Sequence, residues 1–237
     1  MEISFVIPIF NEKENIPVLI KKLEETVDDK YTEYEFILVD DGSTDSSDRI
    51  LFDISKEKNY VRPVFFKKNC GQSAALAAGF KYAEGDIIVS MDGDLQSEPS
   101  DIYFMIPFLK EYDMVNGIRA TREDGFIRKL SSVAGNSFRN FITGDNIKDT
   151  GCPLKVFKKS VVKSFNLYKG MHRFLPTLAK INGFTVTEVA ISHYDRIFGT
   201  SKYTVFNRLF VGMEDVFAVR WMKKRRINYE IDNKKFK

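Results

Sequence analysis

Cysteine, histidine and tryptophan are all scarce in this chain, which has two, two and one of them respectively. Cys70 and Cys152 show no C-x-x-C or Cys/His spacing, which argues against a disulfide framework and a zinc site and favours a reducing compartment. His172 and His193 have no carboxylate or cysteine motif around them, so both read as structural. No apolar run approaches the roughly 18 residues that cross a bilayer. A signal peptide is not expected, because Glu2 follows Met1 and the first apolar run breaks at Pro8. Neither a G-x-G-x-x-G nor a P-loop pattern follows the first apolar run, so Rossmann dinucleotide and P-loop chemistry are set aside. A net charge of +3 calls for no nucleic-acid partner.

With 237 residues, 43% hydrophobic and 29% charged, the chain can bury a large core as one domain, or one domain with an appendage. Ile3–Ile9, Glu35–Val39, Val61–Phe66, Asp86–Met91 and Met114–Ile118 are short runs rich in Ile, Val and Phe, and read as strands. Between them, Glu14–Val27, Ser46–Lys56, Gln72–Ala83 and Ser100–Glu111 carry apolar residues at helical spacing, with Pro107 placed to kink or shorten the last. This alternation predicts an α/β fold, with a mostly parallel sheet covered by helices on both faces. Ligands of such sheets bind beyond the carboxyl ends of the strands.

Those ends are polar. Pro8-Ile-Phe-Asn-Glu12, Asp40-Asp41-Gly-Ser-Thr-Asp45, Lys67-Lys-Asn-Cys-Gly-Gln72 and Asp92-Gly-Asp94-Leu-Gln96 follow the first four strands in turn. Thr44 or Asp45 is expected to cap the next helix, which leaves Asp40 and Asp41 unexplained. In an extended segment Asp92, Asp94 and Gln96 would share one face, with Gly93 letting a ligand approach the backbone. Hard oxygens of that kind suit Mg²⁺ or Mn²⁺ held against a diphosphate. Asp-Gly also makes ordinary turns, so on its own this stretch allows both readings.

The order and spacing of Val6-Ile-Pro-Ile-Phe-Asn-Glu12, Val39-Asp-Asp-Gly-Ser43 and Asp92-Gly-Asp-Leu-Gln96 resemble the inverting family 2 glycosyltransferases of the GT-A fold. Asp149-Thr-Gly-Cys152 and Arg196-Ile-Phe-Gly-Thr-Ser-Lys202 extend the likeness to the polyprenyl-phosphate branch, which includes dolichol-phosphate mannose synthase and undecaprenyl-phosphate sugar transferases. The resemblance implies that Pro8, Phe10, Glu12, Asp40 and Asp41 cradle nucleobase and ribose. It places Asp92 on ribose or metal, and Asp94 and Gln96 on the metal. Gly71 and Gln72 either offer backbone N–H groups to the donor or simply cap a helix.

The resemblance also assigns Arg119, Arg128, Arg196 and Lys202 to phosphate, a role that suits the planar fork of arginine. Arg122 reads as solvated surface. A sugar-hydroxyl acceptor would need a general base, for which Asp149 is the candidate. A lipid phosphate already carries a nucleophilic oxyanion, and the basic set fits that case better. Pro153 stands where relatives often have glycine.

Phe126–Ile142 and Tyr203–Trp221 interleave aromatic and aliphatic residues with basic ones, and the second runs into Lys223-Lys-Arg-Arg226. Such helices either pack on the core or lie at anionic bilayer surfaces, and the polybasic end favours the bilayer for the second. The expected organisation is a catalytic domain over 1–200, with a nucleotide-sugar half (1–120) and an acceptor half (121–200). A basic membrane-surface segment would follow over 201–237. The expected partners are a UDP- or GDP-linked sugar, a polyprenyl phosphate and the inner face of the cytoplasmic membrane, with a homo-oligomer or membrane partner as a further option.

Overall fold

A computed structural model describes residues 1–28, 30–119, 139–194 and 205–227, with side chains from 213 onward in the last stretch. Seven strands form one sheet in the order β3-β2-β1-β4-β6-β5-β7. The first five are β1 (Ile3–Ile9), β2 (Tyr34–Asp40), β3 (Val61–Phe65), β4 (Ile87–Ser90) and β5 (Met114–Arg119). They fall within a residue or two of the sequence expectation. β6 (Lys155–Lys158) and β7 (Val186–Ile191) complete the sheet and were not anticipated. β1 to β4 pair in parallel, β5 pairs in parallel with β7, and β6 runs antiparallel between β4 and β5.

Local sequence explains the strand–helix units. α1 (Asn15–Val27) buries Ile16, Leu19, Ile20, Leu23 and Val27, a spacing that puts one apolar stripe on the sheet. Each such aliphatic side chain contributes about 1.5–3 kcal/mol on burial. α2 (Ser47–Glu57) and α3 (Gln72–Tyr82) follow β2 and β3. α1 and α2 cover one sheet face together with Ile102 and Met105. On the other face, α3 packs with α6 (Lys159–Lys163) and α7 (Leu175–Ile181).

The helix expected over Ser100–Glu111 is broken. A 3₁₀ turn at Pro99–Asp101 leads into α4 (Ile102–Met105), and a second 3₁₀ turn covers Ile106–Lys110. Pro99 and Pro107 each sit in the opening residues of a 3₁₀ turn, where a missing N–H is tolerated. α5 is described over residues 139–143. The last helix, α8 (Val205–Arg225), packs Val216 and Val219 against Met171, Phe174, Leu178 and Ile181. Its other side exposes Met213, Phe217 and Trp221. The helix expected over Tyr203–Trp221 therefore packs one apolar stripe on the body, as the first of its two readings has it, and leaves a second stripe facing outward.

Candidate functional site

The carboxyl ends of β1, β2 and β3 enclose a cavity of about 750 Å³, lined by Phe10, Asp40, Ser43, Arg49, Phe65, Lys67 and Lys68 among others. Asp40 is buried at the end of β2, and one carboxylate oxygen accepts the Ser43 N–H at 3.1 Å. The other oxygen, Oδ1, has no hydrogen-bond partner. Burial raises the Asp40 pKa above the usual carboxylate value, against the opposing pull of the Ser43 bonds.

Asp41 has a local task. Its carboxylate takes the Cys70 N–H at 2.7 Å and the Gly71 N–H at 2.9 Å, tying the β3–α3 loop to the end of β2. Gly71 has φ +92°, open to glycine and strained for other residues, and leads straight into α3. Its N–H is thus committed to Asp41. Gln72 reaches across instead, its side-chain amide donating to Asp92 Oδ1 at 2.7 Å. Glu12 is nearly buried and bonds Asn15, while its backbone carbonyl accepts the N–H groups of Asn15 and Ile16 at the start of α1. Pro8, paired with Val39, lies past the point where β4 stops pairing with β1, so its missing N–H breaks no ladder there.

The expected caps of α2 shift by a residue. Ser46, at φ +75°, precedes the helix, and Asp45 takes the N–H and hydroxyl of Ser47 from one position further back. Thr44 points its backbone N–H at Asn11 Oδ1, 2.7 Å away, joining the loops after β1 and β2.

Asp92, Asp94 and Gln96 do not continue a strand. β4 ends at Ser90, the chain turns at Gly93 and Asp94, and Leu95 adopts φ +60°. A bulky residue held left-handed stores roughly 1–2 kcal/mol of strain. Gly93 also differs from expectation: a Cβ there would lie 2.6 Å from Ile9 Cδ1, so its smallness serves packing against β1. Asp94 is buried and accepts its own loop's Gln96 N–H at 3.2 Å. Gln96 donates its side-chain amide to the Tyr194 carbonyl at 3.4 Å, and its own carbonyl accepts the Tyr194 N–H at 2.9 Å. That arrangement uses the amide nitrogen, not the oxygen a cation would take.

Among the described residues, no group of three or more His, Cys, Asp or Glu side chains is arranged to hold a metal. Asp92 and Asp94 supply two carboxylates from one short turn after β4, a number that suffices for a cation of the Mg²⁺ or Mn²⁺ type when water and substrate phosphate complete its shell.

Arg119, the last residue of β5, grips Asp149. Its Nε and Nη2 donate to the two carboxylate oxygens at 2.8 and 2.7 Å, and its backbone N–H adds a third bond at 3.4 Å. Burial alone lowers the Arg119 pKa, but the Asp149 bonds and charge overcome it and the net shift is upward. The loop carrying Asp149 is held elsewhere too. Glu188 accepts the N–H groups of Lys148 and Asp149, Asn116 donates to the Asp149 carbonyl, and the buried Arg139 bonds Thr150. Sequence reading missed Asn116, Arg139 and Glu188, whose roles come from long-range pairing and leave no local motif. It also missed Lys155, which a lysine inside the apolar run Leu154–Phe157 signals. Arg122, Arg128, Arg196 and Lys202 lie outside the described residues, as does most of the Phe126–Ile142 stretch. The chain leading to Arg196 departs from Tyr194, beside Gln96.

His172 is indeed held inside the structure. Its Nδ1 lies 2.8 Å from the Ser73 hydroxyl, which also accepts the His172 N–H at 3.2 Å. Burial, aided by the charges of Arg173 and Lys155, lowers its pKa to about 3.

Comparison with known proteins agrees with this geometry. The chain is 36% identical over 233 residues to the dodecaprenyl-phosphate galacturonate synthase of Rhizobium johnstonii, covering 94% of this chain and 68% of that protein. Among solved structures, it resembles glucosyl-3-phosphoglycerate synthase from Mycobacterium tuberculosis, crystallised with Mn²⁺, UDP-glucose and glycerol 3-phosphate. The TM-score is 0.67 at 18% identity, covering 96% of this chain and 81% of that one. S. aureus TarS (residues 1–349) matches with a TM-score of 0.62 at 18% identity, covering 99% of this chain and 68% of that one. These two likenesses report the fold, which is that of the GT-A transferases. Residues 4–165 match the profile of glycosyl transferase family 2, and together with the relative aligned along nearly the whole sequence this establishes that the chain belongs to that family and is a glycosyltransferase.

Proposed function

We propose that this glycosyltransferase moves a sugar from a UDP-linked donor to a polyprenyl phosphate, with inversion, at the cytoplasmic face of a membrane. The observation that carries the reading is the Arg119–Asp149 pair. A carboxylate whose two oxygens both accept bonds from one guanidinium makes a poor proton acceptor, which disfavours an acceptor hydroxyl in need of a base. A phosphate monoester brings its own oxyanion, because its second pKa is about 6. The name of the rhizobial relative supports the same acceptor class and points to a uronic acid as the first sugar to try.

In the proposed reaction, an acceptor phosphate oxygen attacks the anomeric carbon. The bond from that carbon to the β-phosphate oxygen breaks, and its electron pair leaves with UDP. Asp40 would accept the uracil N3–H through Oδ1, which is buried and unpaired and would have to turn toward the cavity to do so, with Phe10 and Phe65 walling the base. A uracil offers one imide N–H to that single oxygen, whereas guanine presents an adjacent pair of donors, so UDP is favoured over GDP. Asp92, steadied by Gln72, and Asp94 would hold Mg²⁺ or Mn²⁺, which screens the diphosphate and stabilises the departing charge. Gln96 would join them through its amide oxygen after a rotation of that amide. Arg128, Arg196 and Lys202 would steer and hold the acceptor phosphate, as Arg119 would once its grip on Asp149 is shared.

No described helix is long and apolar enough to cross a membrane. Met213, Phe217 and Trp221, four residues apart on α8, with Lys223, Lys224 and Arg225 at its end, would rest the protein on anionic lipid. The test is incubation of purified protein with Mn²⁺, undecaprenyl phosphate and a panel of UDP- and GDP-sugars that includes UDP-galacturonic acid, followed by mass spectrometry of the lipids. A UDP-dependent glycosyl phospholipid is expected. Transfer to free saccharides without any lipid product would overturn the proposal.

A further inference from the structure

Four polar side chains lie in one row across four neighbouring strands, directly beneath the loop that carries Asp149. Ser90 pairs with Lys155, Lys155 with Asn116, and Asn116 with Glu188, in the register of β4, β6, β5 and β7. Residues directly opposite one another on adjacent strands share a sheet face, so all four project to the same side. Each then bonds the same stretch of backbone. Ser90 Oγ donates to the Pro153 carbonyl at 3.2 Å, Lys155 Nζ to the Cys152 carbonyl, and Asn116 Nδ2 to the Asp149 carbonyl at 2.9 Å. Glu188 accepts the Lys148 and Asp149 N–H groups at 2.9 and 3.3 Å.

Lys155 is the one cation in this row and is 2% exposed. Burial lowers its pKa, while the charges of Cys152, Asp149 and Asp92 pull it back up and that of Arg119 lowers it further, so Lys155 is coupled to the donor side and the acceptor side alike. A lysine in a sheet interior is costly unless its charge is used, and an apolar residue of equal length would fill the space more cheaply. A carbonyl alone could be satisfied by a neutral donor, as Ser90 and Asn116 demonstrate.

We propose that Lys155 is a positioning residue of the transfer reaction. It pins the Asp149–Pro153 turn from below and, when protonated, couples its charge to the donor carboxylate Asp92 and to the Arg119–Asp149 pair. The inference rests on the reading of Asp92 as a cation-side residue, and its two effects have opposite signs. The ammonium opposes a divalent cation at Asp92, so its removal strengthens cation binding. The same removal loosens the turn that aims Asp149 and Arg119, so turnover falls.

The experiment compares the full chain with Lys155→Met, of similar length and neutral, and Lys155→Arg, which restores the charge. Mn²⁺ affinity is measured by electron paramagnetic resonance titration with and without UDP. Turnover is measured as UDP released from UDP-galacturonic acid, or from the best donor of the panel above, with undecaprenyl phosphate present. Circular dichroism melting confirms the fold of each variant. Lys155→Met should bind Mn²⁺ about threefold more tightly, since a nearby buried charge is removed. Its kcat should fall about tenfold with donor KM little changed, as for a misaimed group, and Lys155→Arg should recover most of both values. Wild-type values in Lys155→Met would overturn the proposal, as would parallel loss of Mn²⁺ affinity and turnover that arginine does not rescue. If the wild-type protein turned over normally but bound no Mn²⁺ even with UDP, the cation reading of Asp92 would fail, and Lys155 would be judged on the kcat arm and its arginine rescue.

Discussion

Arg119 and Asp149 are thirty residues apart in sequence, yet they meet through a two-pronged contact at 2.7 and 2.8 Å at the end of β5. Sequence reading gives them separate tasks, Arg119 to phosphate and Asp149 as the candidate general base. Their pairing makes them a unit, since whatever shifts one re-aims the other. Side-chain exposures of 13% and 17% keep the contact largely out of bulk water, so it is not an ordinary surface ion pair.

Asp149→Asn keeps the shape of that contact but removes its charge. Lipid-phosphate transfer by this variant should fall about tenfold to a hundredfold and remain measurable, because no base is lost. Arg119→Lys, which cannot bond both oxygens in the same way, should fall by a similar factor. A double-mutant cycle on thermal stability should give a coupling of about 2 kcal/mol. Near-total loss of turnover in Asp149→Asn alone would instead identify it as a base.

Asp40→Asn tests recognition of the nucleobase. The variant relieves a buried, unpaired carboxylate oxygen, so its melting temperature should hold or rise. Its affinity for UDP, read by calorimetry, should nonetheless drop about tenfold, the cost of a charged hydrogen bond to the ligand. Equal weakening of GDP and UDP binding would argue against uracil selection at this position.

Metal dependence should follow the two aspartates. Removing Mn²⁺ with a chelator, or making Asp94→Asn, should abolish UDP-sugar turnover to below about 1% of wild type, because the leaving diphosphate loses its counter-charge. UDP binding measured without metal should change far less in Asp94→Asn than in Asp40→Asn.

His172 gives the fold a pH dependence of known sign. Its folded pKa of about 3 lies below the ordinary histidine value of 6.5, so between these values the unfolded chain binds the extra proton. Stability is therefore full above pH 6.5 and declines as pH falls toward 3, by at most about 1.4 kcal/mol per pH unit from this group. His172→Asn should flatten the slope of melting temperature against pH across that window. An unchanged slope would show that His172 is solvated as the folded protein acidifies.

The outward stripe of α8 predicts membrane contact without a change in stability. Phe217 and Trp221 are 51% and 63% exposed, so Phe217→Ser with Trp221→Ser should shift the melting temperature little. Co-sedimentation with phosphatidylglycerol vesicles should fall at least about fivefold. Retention of full vesicle binding would place the membrane face elsewhere.

How legible the fold was in the sequence depended on burial. β1, β2 and β4 are buried runs of Ile, Val and Phe, and their strand character shows in the residues themselves. β7 is half exposed, and its Val186-Thr-Glu-Val-Ala-Ile pattern has no apolar run to mark it. β6 carries lysine at both ends and becomes a strand because β4 and β5 leave a gap between them. The site was legible in a similar way. Asp40, Asp41, Asp92 and Asp94 could be found because they follow strands, but the actual partner of each depended on loops meeting in three dimensions. Asp41 binds the backbone N–H groups of Cys70 and Gly71, 29 and 30 residues downstream, and Gly93 is small for the sake of Ile9.

The position of β6 also determines where this protein can be cut. β5 precedes β6 in sequence, yet among the described strands it bonds only to β6 and β7, both of which come later. A fragment ending near residue 120 would synthesise β5 and leave both its edges bare, with the apolar Met114 and Val115 uncovered. Residues 1–120 should therefore not express as a soluble miniature of the enzyme. A nick in the chain between β5 and α5, with both pieces kept, should leave the sheet assembled, because the pairing that closes it spans the break.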